Sequence, residues 1–196
     1  MDVSELRKNA KVELDGHPYV VTEFQFVKPG KGQGLYKCKL KNMITGAVLD
    51  RTWRSGERLE AANVDSRTMQ YLFAGSDGFT FMDSATYEQV ELSAELVGDD
   101  KYFLLDAPPP GSDQPIAYAV LFYNNRPVGL DVPSHVVMEV TECEPGVKGD
   151  TATNVTKGAT IQTGLDVQVP LFIKQGEFIK IDTRSKSYVE RVNIGK

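Results

Sequence analysis

The chain has 196 residues, of which 41% are hydrophobic and 25% charged, a composition that is typical of a globular protein and excludes collagen and intrinsic disorder. No stretch approaches the roughly eighteen consecutive apolar residues of a membrane-spanning helix, and the N-terminus lacks the pattern of a secretory signal, so we expect a cytoplasmic protein without a membrane partner. The formal charge of −5, from 22 Lys and Arg against 27 Asp and Glu, argues against a protein that nucleic acid wraps completely.

Residues 1–64 predict a small β-barrel built around one long hairpin. The segments 18–27 and 35–44 read as strands because both are rich in β-branched and aromatic side chains. The seven residues between them, KPGKGQG, contain three glycines and one proline and cannot hold a helix, so they predict a glycine-rich hairpin tip. Shorter strands are predicted at 47–53 and 59–63.

Residues 65–130 predict a second small barrel, because short apolar segments alternate with turn residues. One or two helical turns are predicted within 83–96, with Asp83 or Ser84 as the cap. The predicted strands are 68–73, 79–82, 116–123 and 127–130.

Residues 131–196 predict a third barrel. In the segment VVMEVTECE, residues 136–144, strict alternation places Cys143 on the face of Val137 and opposite to Val140. Five short strands in about 65 residues is the strand number of an OB-fold barrel. The other four predicted strands are 159–163, 166–170, 178–182 and 188–192.

Three separated motifs, the last of them in two parts, carry a resemblance that runs along essentially the whole chain. A lone PGKG would be a weak signal, but the combination closely resembles bacterial translation elongation factor P. In chain order the motifs are KPGKGQG at 28–34, PGVKGDTA at 145–152, IDTRS at 181–185 and YVER at 188–191.

This resemblance implies an all-β fold of three small β-barrels in an L-shaped, tRNA-like arrangement. A KOW/SH3-like domain (1–64) would be followed by two OB-fold domains (65–130 and 131–196). The resemblance also implies a monomeric factor, not an enzyme, that binds both ribosomal subunits between the peptidyl and exit sites. There it would position peptidyl-tRNA and so promote peptide-bond formation at consecutive prolines.

Lys31 is the central residue that the resemblance implies, because the family's loop lysine points to the CCA end of peptidyl-tRNA. In much of the family that lysine is extended by β-lysine or an aminopentanol group, and by hypusine in eukaryotic and archaeal relatives. A lysine-modifying enzyme is therefore an expected partner. Lysine at this position excludes the rhamnosyl-arginine branch. The residues that would support the tip are Lys28, Pro29, Gly30, Gly32, Gln33 and Gly34.

The sequence departs from the family pattern at Gly34 and in the middle domain, and Gln33 bears on which branch of the family it resembles. Gln33 stands where the branch that works unmodified has proline, which favours a modified lysine. Gly34 stands where many relatives have alanine, and glycine at this position is expected to keep the tip flexible. The proline-rich turn at 107–115 is longer than usual for the family.

Lysines recur at every second position of the strand that follows the loop. Lys37, Lys39 and Lys41 therefore share one face, opposite to the residues between them. This stripe favours contact with the backbone of tRNA or rRNA. A solvated face that discourages edge-to-edge aggregation is the structural alternative.

Two further groups in residues 131–196 are candidate RNA contacts. An aromatic ring among cations in the last predicted hairpin suits an rRNA surface, although it is also compatible with ordinary protein surface. These residues are Arg184, Tyr188 and Arg191. The resemblance implies that a second loop lies against the exit-site codon of mRNA, and its residues are Gly149, Asp150 and Thr151.

The charge distribution agrees with contacts at the two ends of the chain. Residues 1–64 contain 11 Lys and Arg against 8 Asp and Glu, a net charge of +3. Residues 65–130 contain 3 basic and 10 acidic residues (−7), and residues 131–196 contain 8 basic and 9 acidic residues (−1). RNA binding depends on neutralising phosphates, so the acidic middle is expected to face basic protein or solvent.

Two other classes of function are compatible with parts of this pattern. A generic OB-fold module for single-stranded RNA is the alternative, and it predicts affinity for free RNA. An enzyme is disfavoured because no motif places a histidine beside Cys38 as a base.

We expect Cys38 and Cys143 to be buried free thiols. Because His17 and His135 are the only histidines, we expect no metal and no other cofactor.

Overall fold

The computed structural model describes residues 1–30, 32–145 and 155–193, and within them β-strands predominate. These segments contain three curled five-stranded sheets that follow one another along the chain. The all-β fold class predicted from the sequence is confirmed. The helices of the described segments are all too short to span a bilayer.

The first sheet has the strand order β4-β3-β2-β1-β5. Strands β2 and β3 form the long antiparallel hairpin that the sequence predicts, and Val27 and Leu35 are its last pair before the loop. Strand β1 is absent from the sequence prediction, and β5 is shorter than predicted. The strands are β1 Lys11–Leu14, β2 His17–Val27, β3 Leu35–Asn42, β4 Val48–Arg54 and β5 Glu60–Ala61.

The core of the first sheet is completed by the N-terminus. A short 3-10 helix over Val3–Glu5 is capped by Asp2, whose carboxylate accepts a hydrogen bond from the N–H of Ser4. This cap places Val3 and Leu6 in the core, where both are fully buried. The strand side chains that they join are Val12, Val21, Cys38, Leu40 and Trp53.

The second sheet has the order β10-β9-β6-β7-β8. A single helix, α1 over Ala94–Val97, follows β8, and a 3-10 helix continues it over Gly98–Phe103. The strands are β6 Asp65–Ala74, β7 Gly78–Asp83, β8 Gln89–Ser93, β9 Tyr118–Tyr123 and β10 Arg126–Asp131.

The helix predicted within 83–96 is wrong in both its start and its cap. The carboxylate of Asp83 accepts hydrogen bonds from the N–H groups of Ala85 and Thr86, which closes a turn instead of starting a helix. The chain then pairs with β7 as strand β8, because a sheet partner outweighs a weak local helix preference. The cap of α1 is Ser93, whose hydroxyl accepts from the N–H of Leu96 at 3.3 Å.

The third sheet has the order β13-β12-β11-β14-β15, and its edge strands β13 and β15 approach each other, so the sheet curls towards a barrel. The sequence predicts these strands to within a few residues. They are β11 His135–Cys143, β12 Thr156–Ile161, β13 Asp166–Pro170, β14 Phe178–Asp182 and β15 Ser187–Val192.

A β-bulge in β11 places Cys143 on the opposite face of the strand from the one predicted. Along β11, Val140 pairs with Ile161 but Glu142 pairs with Thr160, so Thr141 is an extra residue in the ladder. One inserted residue reverses the alternation beyond it. Cys143 therefore packs against the core on the side of Val140, where it is half-buried, while Cys38 is fully buried, and both thiols are free.

The chain divides into two compact units, Met1–Arg67 with Val120–Gly129, and Thr68–Ala119 with Leu130–Lys196. In the first unit, Leu121 and Val128 pack with Met43. In the second unit, Phe103 and Leu105 belong to the same buried cluster as the core of the third sheet. The three-domain boundaries at 64 and 130, and the L-shaped arrangement, stay predictions.

The hydroxyl of Tyr118 connects two elements of the second unit. It donates to the carbonyl oxygen of Phe103 at 3.0 Å and accepts from the N–H of Leu105 at 2.9 Å, in a fully buried position. Burial raises the pKa of Tyr118 to about 12, so the hydroxyl keeps its proton. The bonds hold the segment that inserts Phe103 and Leu105 into the core of the third sheet.

We therefore expect Tyr118→Phe to lower the free energy of unfolding by about 1–3 kcal/mol, because a buried N–H and a buried carbonyl lose their partner. Urea denaturation followed by circular dichroism measures this loss. Tyr87→Phe is the matched control, since Tyr87 is 72% exposed and the loss of its hydroxyl leaves no buried group without a hydrogen-bond partner. Equal midpoints for the two variants would contradict the assigned role.

Candidate nucleic-acid interface

A β-bulge in β2 determines which side chains the hairpin presents on each face. Val21 pairs with Leu40 but Glu23 pairs with Lys39, so Thr22 is the extra residue. Its hydroxyl donates to the carbonyl oxygen of Lys39 at 3.1 Å. Beyond the bulge the alternation is reversed, and Glu23 turns to the face that carries the lysines.

Lys37, Lys39 and Lys41 lie on that one face of β3, as their spacing predicts. Lys37 stands between Gln25 of β2 and Thr52 of β4, so both of its neighbours across the sheet are neutral. Lys41 likewise has neutral cross-strand neighbours, Val20 and Val48.

Lys39 differs from the other two lysines, because acidic side chains lie on both sides of it. Its Nζ is 2.9 Å from Oε1 of Glu23, and Asp50 is its partner in β4. The hydrogen bond to Glu23 and the charges of Glu23 and Asp50 raise the pKa of Lys39. The ammonium thus stays charged, but its field is largely compensated, and Lys37 and Lys41 are left as the stronger attractors of phosphate.

The opposite face of the hairpin is apolar and continuous with the core. Phe24 and Tyr36 pack against the buried cluster, and Cys38 lies within it. Burial raises the pKa of the Cys38 thiol, which favours the protonated and less nucleophilic form.

The described residues of the loop divide into an exposed part and a packed part. Gly34 is half-buried, and its carbonyl oxygen accepts from the N–H of Ser55 at 2.9 Å. Lys31 lies outside the described residues. The exposed residues are Lys28, Pro29, Gly30, Gly32 and Gln33.

In the second unit the structure brings Tyr188 and Arg191 to one face of β15. Strict alternation would separate them, but Val189 is an extra residue between the pairs Ile181–Tyr188 and Lys180–Glu190. Tyr188 packs against the core and is half-buried. It therefore has less ring surface to offer than the sequence suggests.

The two arginines of this group have different surroundings. Arg191 is 3.3 Å from Glu177, and its guanidinium lies 5.7 Å from the ring centroid of Phe172, which is 57% exposed. Arg184 is exposed in the turn after β14. That turn is closed by Asp182, whose pKa is lowered chiefly by the backbone N–H groups of Ser185 and Arg184.

Gly149, Asp150 and Thr151 lie outside the described residues, so their contact with an exit-site codon stays a prediction. Within the segments 1–30, 32–145 and 155–193, no three His, Cys, Asp or Glu side chains come together as a metal site.

Sequence reasoning missed three side chains that shape these surfaces: Glu23, Phe26 and Phe172. For Glu23 a signal exists, because strict alternation from buried Val21 would point this carboxylate at the core, and an extra residue in the strand avoids that. No comparable signal exists for Phe172, which reaches Arg191 only through the fold.

The comparisons with known proteins agree along the chain. Family models match three regions: the elongation factor P KOW-like domain at residues 2–59, the elongation factor P OB domain at 64–130, and the elongation factor P C-terminal region at 136–191. The chain belongs to the elongation factor P family. The KOW-like and OB folds expected from the sequence are thereby confirmed.

Curated relatives named elongation factor P are similar over almost their whole length. The protein of Rhodopirellula baltica is 48% identical over 98% of this chain and 94% of its own. The protein of Desulfosudis oleivorans is 49% identical over 97% of this chain and 98% of its own length. The protein of Syntrophus aciditrophicus is 46% identical over 96% of this chain and 97% of its own length.

The lysine face predicts a measurable salt dependence of ribosome binding. We expect the double variant Lys37→Glu/Lys41→Glu to bind ribosomes more weakly and to reduce the slope of log K against log salt by about two, since each neutralised phosphate contributes about one. Filter binding at several salt concentrations measures the slope.

The matched control for this experiment is Glu91→Lys/Glu95→Lys, which reverses two exposed acids of the second unit. Equal losses of ribosome affinity in the two double variants would contradict the assignment of this face. Free single-stranded RNA is tested in parallel, because tight binding to it would favour the generic RNA-binding module instead.

Proposed function

We propose that this protein is a cytoplasmic translation elongation factor that binds the ribosome between the peptidyl and exit sites and promotes peptide-bond formation at consecutive prolines. It does so by positioning peptidyl-tRNA, with Lys31 at the working end. The observation that carries the proposal is a glycine-flanked lysine in the loop of a long hairpin, in a chain that belongs to the elongation factor P family.

The hairpin supplies two features that this role requires. Gly30 and Gly32 are exposed and lack side chains, so the backbone around Lys31 can approach another molecule closely. Behind the loop, Lys37 and Lys41 stand on an outward face with neutral neighbours, where a phosphate backbone can bind without displacing an ion pair.

Positioning is sufficient as a mechanism, because the ribosome already supplies the chemistry of peptidyl transfer. Proline is a constrained secondary amine, and consecutive prolines disfavour the productive arrangement of the two substrates. Holding the CCA end of peptidyl-tRNA in a near-attack geometry recovers part of the entropic cost of alignment. A cation at the loop can bind the CCA phosphates and hold that geometry.

The remaining contacts in this proposal are distributed over the second unit. Arg184 is exposed and available to rRNA, whereas Arg191 is partly compensated by Glu177. Gly149, Asp150 and Thr151 would bind the exit-site codon through backbone and hydroxyl groups, without reading its sequence. The factor acts as a monomer.

Covalent extension of Lys31 completes the proposal. A β-lysyl or related group, attached by a lysine-modifying enzyme, would lengthen the reach of the cation towards the CCA end. Intact-mass and peptide mass spectrometry of protein from its native host tests this. An unmodified peptide containing Lys31 would contradict it.

We expect Lys31→Ala to abolish most of the stimulation of a Pro-Pro-Pro reporter in a reconstituted translation system, because the cation and any group attached to it are lost. A reporter without proline runs should be unaffected. The melting temperature should stay close to that of the wild type, since the substitution lies between two exposed glycines and surface changes of this kind cost under about 0.5 kcal/mol.

Lys8→Ala is the matched control, because Lys8 is an exposed lysine of the same unit that lies outside the hairpin. Full reporter synthesis by Lys31→Ala would overturn the assignment of this loop. Lys31→Arg separates charge from modification, since it keeps the charge but offers no primary amine to a lysine-modifying enzyme. Full activity of Lys31→Arg would show that charge alone suffices.

A further inference from the structure

We propose that Phe26 is a positioning residue that fixes the direction in which the chain leaves the Lys31 loop, by lying on the backbone of Gly34. This inference rests on the proposed function of the loop. Its basis is a continuous series of contacts from the core of the first unit, through Tyr36 and Phe26, to Gly34.

The ring of Phe26 occupies the space that a side chain at residue 34 would take. A Cβ atom at residue 34 would lie 2.6 Å from Cε2 and 2.8 Å from Cζ of Phe26, well inside van der Waals contact. The φ angle of Gly34 is outside the left-handed region, so its backbone does not require glycine. Gly34 thus leaves this space to the ring, and any side chain here would require the ring of Phe26 to shift. This is a different role from the flexible tip expected from the sequence.

The position of the Phe26 ring is determined by the strand register. Phe26 pairs with Tyr36, and their ring centroids are 4.8 Å apart. Gly34 lies two residues before Tyr36 on the same face, so it is the diagonal neighbour of Phe26. An aromatic ring is long enough to reach that diagonal position.

Tyr36 connects this contact to the rigid part of the unit. Its ring centroid is 6.0 Å from that of Phe24, it pairs with the buried Trp53 of β4, and it packs against the core. Because these neighbours are closely packed, Tyr36 gives Phe26 a fixed support.

Gly34 is consequently held on two sides. The ring of Phe26 covers it from the face of the sheet, and the N–H of Ser55 binds its carbonyl oxygen at 2.9 Å in the plane of the sheet. Phe26 itself is 48% exposed, an unfavourable placement for a ring whose only role is to fill a core. A positioning role accounts for an aromatic residue at this place.

A double-mutant cycle tests the contact with three variants: Phe26→Ala, Gly34→Val and the combination of both. Phe26→Ala removes the ring, and Gly34→Val places a branched side chain in the space that the ring occupies, so either change breaks the same contact. We expect each single variant to lower Pro-Pro-Pro reporter synthesis by about tenfold, because small misplacements can cost as much as a hundredfold. The double variant should be no worse than either single variant.

Ribosome affinity distinguishes positioning from a general structural defect. Each variant should bind ribosomes like the wild type, because Lys37 and Lys41 are unchanged. Phe26→Tyr keeps the ring and should keep full activity. Phe73→Ala is the matched control, since Phe73 of β6 is 54% exposed and belongs to the other unit.

NMR relaxation tests the contact between Phe26 and Gly34 independently of translation activity. The backbone order parameter of the Gly34 amide should fall from about 0.85 in the wild type to below about 0.6 in Phe26→Ala, and should not change in Phe73→Ala. A Gly34 amide that stays rigid in Phe26→Ala, or activity losses that multiply in the double variant, would overturn the inference. Full activity of Lys31→Ala would instead remove the proposed function of the loop while leaving the relaxation result intact.

Discussion

The register of the sheets depends on single extra residues in their strands, and these β-bulges decide which side chains face the core. The sequence Val-Thr-Glu occurs at residues 21–23 and again at 140–142, and in both places the threonine is the extra residue. Each threonine hydroxyl donates to a carbonyl oxygen of the opposite strand, at 3.1 Å from Thr22 and 3.0 Å from Thr141. The extra bond stabilises the interruption of the ladder, and the alternation of side chains is reversed beyond it.

The charge pattern of the hairpin follows from the first of these bulges. Without it, Glu23 would share the face of Val21 and point towards the core, where an unpaired carboxylate is costly. With it, Glu23 pairs with Lys39, and Phe24 and Phe26 continue the apolar face up to the loop. One inserted residue therefore both compensates the middle lysine of the stripe and supplies the aromatic support beneath Gly34.

In the second unit a comparable interruption arranges a different surface. The extra Val189 brings Tyr188 and Arg191 to one face of β15, while Lys180 and Glu190 form an ion pair at 3.0 Å on the other. Exposed ion pairs of this kind contribute little to stability, about 0–1 kcal/mol. Their larger effect is on the local potential, because a cation that already has a carboxylate neighbour attracts phosphate less strongly.

The sequence by itself determined the all-β class, the long hairpin with its glycine-rich loop, and the family. It also determined the common face of Lys37, Lys39 and Lys41. Each of these depends on local composition, on period-two alternation or on motifs that are contiguous in the chain. The tertiary structure alone decided that Lys39 is compensated by Glu23, that Arg191 lies over Phe172, and that Phe26 covers Gly34. It also replaced the predicted helix at Asp83 by a turn and strand β8. These outcomes depend on the pairing of residues that are distant in sequence, and a shift of one residue in that pairing reverses every face, so local patterns cannot fix them.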